Sequence, residues 1–263
     1  MSALAAQGAA DRTGEVLARL ARVTDPELDE PVTELGFVTG VEVEEDGRVR
    51  IGFRLPTYWC AANFAFLMAD DMRREAAALP WVRDVAVELG EHMYAETINR
   101  GMRDGLCFRD AFGGEANDDL DEVRRTFAVK AFQRRQMALL DHLLAAGHGA
   151  PSLLFLTVSA LRALPADAEG RQLIERYLDK RDVPGPADPD APAFVDPSGR
   201  AVRPECFSIH RRALRSVAVN VEFNGALCRG LLAARFNEGP HAPAGEPTLL
   251  DFVRAAARDG PAA

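Results

Sequence analysis

The alternation of apolar and polar positions is clearest over residues 41–55. Val41 and Val43 precede Asp46-Gly47, and Val49, Ile51, Phe53 and Leu55 follow it. A period of two on both sides of Asp-Gly predicts a β-hairpin, because glycine accepts the positive φ of a tight turn. Upstream, residues 11–22 place Val16, Leu17 and Leu20, and then Val23, on one helical face, predicting a short amphipathic helix after a small-residue tail over residues 1–13. Between helix and hairpin, TDPELDEPVTELG carries two prolines and a run of carboxylates, which predicts an ordered turn. After the hairpin, Phe64, Leu67, Met68 and Met72 recur at helical spacing up to Pro80, and Val85, Val87 and Leu89 alternate as a strand. The order helix, hairpin, helix, strand (αββαβ) describes a small α+β domain over residues 14–90.

Residues 91–117 are punctuated by glycine without a sustained period, and a linker is expected there. Residues 118–263 are expected to form a larger, mostly helical C-terminal region with at least one strand. Residues 118–149, 151–164 and 166–180 give helix candidates, the first with acidic residues at its positive end. The proline-rich stretch 181–204 is expected as a long surface connection with a turn at residues 196–199. Val217, Val219, Val221 and Phe223 alternate and predict a strand, while GALCRGLLAARF and PTLLDFVRAAAR predict helices.

Composition narrows the function classes. The 263 residues carry a net charge of -9, which disfavours nucleic acid as a partner, since phosphates need a basic surface. No run of apolar residues is long enough to span a membrane, and the N-terminus lacks the basic and apolar regions of a signal peptide. Cys60, Cys107, Cys206 and Cys228 are far apart with no CxxC pair, which fits a reduced, cytoplasmic setting better than a disulfide framework. No GxGxxG, P-loop, GxSxG or HExxH motif occurs, which disfavours the corresponding nucleotide, serine-hydrolase and zinc-protease classes.

DPEL at residues 25–28, ELGFV at 34–38, the hairpin, T-x-x-C at Thr57 and Cys60, and the closing LPWVRDVAVEL together resemble the SufT/PaaD-type iron-sulfur assembly domain over roughly residues 14–90. The resemblance implies a role in assembling or delivering iron-sulfur clusters or iron, carried transiently, for a client metalloenzyme such as a multicomponent di-iron oxygenase subunit. Carried over by position, Asp25 and Glu27 match the family's acidic pair, Thr57 its threonine and Cys60 its reactive cysteine. Ala61 stands where the family usually has proline, and Tyr58-Trp59 where Pro-Gly is common.

The residues add their own alternatives. Cys60 is expected just before a helix, where unpaired N–H groups and the helix dipole stabilise a thiolate; the alternative is a small buried hydrophobe. A single cysteine is a partial cluster site, to be completed by a second subunit in a homodimer, by a client or by a small thiol. Asp25 and Glu27 either bind metal or only shape a turn. Tyr58 and Trp59 either anchor a partner or cap the sheet. Cys206 and His210, four apart, could offer two metal ligands with Cys228 as a third; ordinary packing is the alternative. Arg203, Arg211, Arg212 and Arg215, with Arg200, either dock an acidic partner or form a solvated face. The reading is a maturation factor with Cys60 as transient ligand, its rival a non-catalytic adaptor that binds a metalloenzyme subunit without metal. An enzyme with Cys60 as nucleophile ranks last.

Overall fold

The structure, a computed structural model, describes residues 3–113 and 120–236, with side chains from residue 11 onward. The helix expected over residues 247–258 lies outside the described residues. The chain divides into two compact units, residues 1–122 with 223–263 and residues 123–222.

In the first unit, α1 (Ala3–Leu20) starts well before the expected position, inside the predicted tail. Val16 and Leu20 are fully buried, whereas Leu17 is exposed, so the buried stripe is narrower than the sequence pattern suggested. The hairpin forms as read: β1 (Val38–Val43) pairs antiparallel with β2 (Arg48–Phe53). Gly47 turns between them at φ 88, and a Cβ there would meet the Trp81 carbonyl at 2.5 Å, so no other residue fits the turn. Val49, Ile51 and Phe53 point inward along β2 while Arg48 and Arg50 point to solvent, each buried apolar side chain contributing about 2 kcal/mol. Helix α2 (Ala62–Ala77) leads to β3 (Asp84–Leu89), which pairs parallel with β2 and completes a sheet of order β1-β2-β3.

The segment expected as a linker is folded. It carries α3 (Ala95–Asp104) and α4 (Phe108–Ala111), and Ile98, Met102, Phe108 and Ala111 are buried in the same core as the sheet. Helix α3 ends at Gly105 in the left-handed region, an ordinary glycine stop. The glycines read as linker punctuation are therefore helix ends and close contacts; a Cβ on Gly101 would meet Ala111 Cβ at 2.9 Å.

The second unit is helical: α5 (Leu120–Ala145), whose first residues belong to the first unit, α6 (Ala150–Leu154), α7 (Val158–Arg162), α8 (Ala168–Leu178) and the start of α9 (Phe207–Phe236). The proline-rich stretch runs mostly at the surface and turns at residues 196–199 as expected, but Ala193, Phe194 and Val195 are fully buried and anchor it. The buried Arg181 guanidinium donates to the carbonyls of Pro192 (Nη2, 2.6 Å) and Ala193 (Nε, 3.0 Å), and Tyr177 donates to the Ala193 carbonyl at 2.7 Å. These bonds, with isolated bridges from Pro192 to Thr157 and Val195 to Ala201, satisfy a backbone outside any sheet.

The strand expected at residues 217–223 is helix, part of α9. Leu214, Ala218 and Val221 are buried, while Val219 and Phe223 are 47% and 43% exposed. Spacings of four and three mark the buried stripe of a helix, and the alternating valines were coincident with it. No named strand occurs in residues 123–236.

Candidate functional site

Parallel pairing of β2 and β3 sets their C-terminal ends side by side, with Phe53 opposite Leu89. The loops leaving the two strands therefore meet. Gly90 N–H donates to the Phe53 carbonyl and Met93 N–H to the Tyr58 carbonyl, both at 2.8 Å. The carboxyl ends of parallel strands are the usual place for a site in such sheets.

Cys60 sits on the first of these loops, just before the N-cap Ala61 of α2. Its half-buried Sγ lies 3.1 Å from Thr57 Oγ1, so the T-x-x-C spacing folds the hydroxyl back onto the thiol. His92, on the second loop and buried, holds the Cys60 carbonyl through Nε2 at 2.9 Å. His92 Nδ1 accepts from Tyr94 N–H, which places the ring proton on Nε2 as the donor. Burial pushes the His92 pKa down, the Cys60 carbonyl opposing and the nearby Arg235 assisting. The ring is engaged with backbone rather than with Sγ and does not form the cysteine-histidine pair of a nucleophilic enzyme.

The acidic turn comes from residues 24–31, closed by a bridge between Thr24 and Pro31. Asp25 Oδ1 accepts from Glu27 N–H and Leu28 N–H, both at 2.8 Å, and Asp29 takes a left-handed φ of 52. Turn formation is thus a real role of Asp25. Its side chain is also buried, and burial, opposed by these bonds and reinforced by Glu27 and Glu30, pushes its pKa up to about 6. A carboxyl so desolvated is more than a surface turn requires.

The last helix reaches this turn as well. Asn224 Nδ2 donates to Glu27 Oε1 at 3.0 Å, Arg229 pairs with Glu30 at 2.9 Å, and Arg235 Nη1 donates to the Leu55 carbonyl at 3.1 Å. Cys228 is half-buried on this segment, and its thiol is pushed up to about 12 by burial and then by the acidic groups of Asp25, Cys60 and Glu27, with Arg229 opposing.

Of the sequence candidates, Cys60 lies against Thr57 and Asp25 holds the Glu27 amide, while Asp25, Cys60 and Glu27 come near enough to Cys228 to bear on it electrostatically without forming, among the described residues, a group that could hold a metal ion. The fold separates Cys228 from Cys206 and His210, which belong to the second unit. The proposed Cys206, His210 and Cys228 metal site does not form: among the described residues no group of three or more His, Cys, Asp or Glu is placed to hold a metal ion. His210 Nε2 instead pairs with Gln136 Oε1, inside the hydrogen-bonded core with Tyr177. The arginine cluster also disperses. Arg203 pairs with Glu205, Arg211 with Asp141 and Arg200 with Asp196, while Arg215 lines a cleft with Arg134, Arg135 and Arg176. Tyr58 and Trp59 are 52% and 72% exposed, so neither caps the sheet.

His92 and the α9 contacts were missed because nothing in GEHMYAET or in the C-terminal helix pattern refers to residues far away in sequence. The parallel register alone brings His92 to Cys60.

Similarity to known proteins coincides with this site. Residues 13–89 match the sequence profile described as iron-sulfur cluster assembly protein. The chain is 32% identical over 74 residues to the Fe-S protein maturation auxiliary factor YitW of Bacillus subtilis, covering 28% of this chain and 71% of that protein. It is 43% identical over 54 residues to the iron-sulfur cluster carrier protein of Mycobacterium leprae, covering 20% of this chain and 14% of that protein. The chain belongs to the iron-sulfur cluster assembly family, and the SufT/PaaD-type resemblance of its first 90 residues is that membership. Among the described residues, no helix is long and apolar enough to cross a membrane.

Proposed function

We propose that this protein takes part in iron-sulfur maturation by holding a cluster, or iron, transiently on Cys60 and passing it to a client metalloenzyme. The observation that carries the reading is the Cys60 thiol, set against Thr57 at the joined carboxyl ends of β2 and β3, inside the segment that matches the family. The cargo is a substrate here. Cys60 loses its proton as its sulfur binds iron, and a client thiolate displaces it on transfer. Thr57 Oγ1 can donate to the sulfur while it carries negative charge, and His92 fixes the backbone from which the thiol projects. One thiolate supplies a quarter of a usual cluster ligand set, which suits release.

Client contact is assigned to the aromatic rim of the same loops. Tyr58, Trp59, Met93 and Tyr94 are all exposed, and large exposed apolar side chains grouped on paired loops favour a protein partner. A di-iron oxygenase subunit is one such client; a second copy of this chain is another.

Anaerobic reconstitution with ferrous iron and sulfide, followed by transfer to an apo iron-sulfur acceptor, tests both parts. Cys60→Ser is expected to abolish loading. Trp59→Ala with Tyr58→Ala is expected to load normally and transfer about tenfold more slowly, as for loss of an aromatic anchor. Equal loading by Cys60→Ser would overturn the carrier role, and stable capture of a metalloenzyme subunit by iron-free protein would put the adaptor reading in its place.

A further inference from the structure

Three helices of the second unit enclose a cleft of about 280 Å³. Helix α5 brings Arg134, Met137 and Asp141 to it, at spacings of three and four that share one helical face. Helix α8 adds Leu173 and Arg176, three apart, and α9 adds Arg215, Val219 and Glu222, at spacings of four and three. Part of the lining is apolar: Met137 is buried and Leu173 half-buried, while Val219 is 47% exposed.

The helices around the cleft are tied to one another by charged groups. Arg135, which also lines it, donates from Nη1 to the Arg176 carbonyl and to Asp179 Oδ2, both at 2.8 Å, and so binds α5 to the end of α8. Arg211, which does not line it, donates from Nε and Nη2 to Asp141 Oδ1 at 3.1 and 2.7 Å, and so binds α5 to α9. A concavity held in this way exists before any ligand arrives.

The same bonds decide which charges remain available. Arg135 is engaged by Asp179, and Asp141 is engaged by Arg211. Among the described residues, the guanidiniums of Arg176 and Arg215 have no acceptor. With Arg134 they face the cleft against one remaining carboxylate, Glu222, so positive charge is in excess there although the whole chain carries -9. Guanidinium forks match the paired oxygens of carboxylates and phosphates.

We infer that this cleft binds a small organic anion, an apolar body with a carboxylate or phosphate head. Arg176 and Arg215 take the head, and Met137, Leu173 and Val219 cover the body. The volume lies near the lower end of the roughly 300–1,000 Å³ of small-molecule sites, and apolar walls with a few placed polar groups are their usual make-up. The site belongs to the second unit alone and does not rest on the carrier reading.

The test titrates the full chain by calorimetry with hexanoate and with hexyl phosphate, and with hexanol and inorganic phosphate as the body and the head alone. One molecule of a hexyl anion is expected to bind per chain, and the tighter of the two identifies the head. Hexanol and inorganic phosphate should each bind about tenfold more weakly or worse, since two buried methylenes or one charge-assisted bond are worth that much. Arg176→Gln and Arg215→Gln, both at exposed positions, should each lower the affinity about tenfold with an unchanged circular dichroism spectrum. Arg212→Gln, exposed on the same helix as Arg215 but off the lining, should bind as wild type. No saturable binding of either hexyl anion overturns the inference. So does binding that inorganic phosphate equals, or that Arg176→Gln and Arg215→Gln leave unchanged.

Discussion

Asp25 shapes a turn and carries a buried carboxyl, and a substitution can separate the two. Its Oδ1 alone accepts the Glu27 and Leu28 amides, so asparagine preserves the turn and removes the charge. Asp25→Asn is expected to melt above the wild type at pH 7, with the gap closing as pH falls toward 4, because a carboxyl whose folded pKa is pushed up to about 6 costs stability when ionised. Asp25→Ala is expected to lose about 1–3 kcal/mol, the usual cost of leaving buried amides unsatisfied, measured by urea unfolding. Equal melting of Asp25→Asn and wild type across that pH range would show that the buried charge costs nothing. The sequence spelled out this turn, because Asp-Pro-Glu is local chemistry. It could not show the burial that raises the Asp25 pKa, since the side chains that cover it come from elsewhere in the chain. His92 is the clearer case: no local pattern marks it, and its role exists only because the Cys60 carbonyl lies 2.9 Å from its ring.

Among the elements, β2, α2 and β3 were read correctly because period two and helical spacing are properties of contiguous residues. Their parallel pairing, which builds the site, is a matter of tertiary arrangement. The C-terminal helix shows the opposite outcome. Its alternating valines predicted a strand, and burial of Leu214, Ala218 and Val221 shows a helix instead. Where that helix meets the acidic turn, Arg229 and Glu30 form an ion pair with side chains 8% and 12% exposed. Removing one partner of such a pair leaves an uncompensated buried charge. Arg229→Met is expected to destabilise the first unit by about 3–5 kcal/mol, and Arg229→Met with Glu30→Leu to recover most of that loss. Chemical denaturation of the two variants checks the pair, and an equal loss in both would show that packing, not charge, governs it.

At the scale of the whole molecule, the chain folds as two units: the first boundary, after residue 122, falls close to the expected start of the C-terminal region at 118, whereas the return of residues 223 onward to the first unit was not marked by the sequence. The second depends on its own turn at Asp196. Burial alone would raise the pKa of that carboxyl, but hydrogen bonds from Ser198 and Arg200 outweigh it and bring the value down to about 2. A carboxylate whose folded pKa lies below its unfolded value stabilises the fold above the unfolded value, and that contribution is lost as pH falls toward the folded one. Asp196→Asn is therefore expected to be less stable than wild type at pH 7, with the gap closing between pH 4 and pH 2; a gap constant over that range would refute it. The sequence by itself determined the α+β class of the first unit, its hairpin, the acidic turn, and Cys60 at a strand-to-helix junction, because these follow from short-range periodicity and turn chemistry. Only the tertiary structure decided that residues 91–113 join the core, that His92 holds Cys60, and that Asn224 and Arg235 of α9 bind the acidic turn and the Cys60 loop. Those outcomes are set by which distant surfaces bury one another, and no window of contiguous residues contains that information.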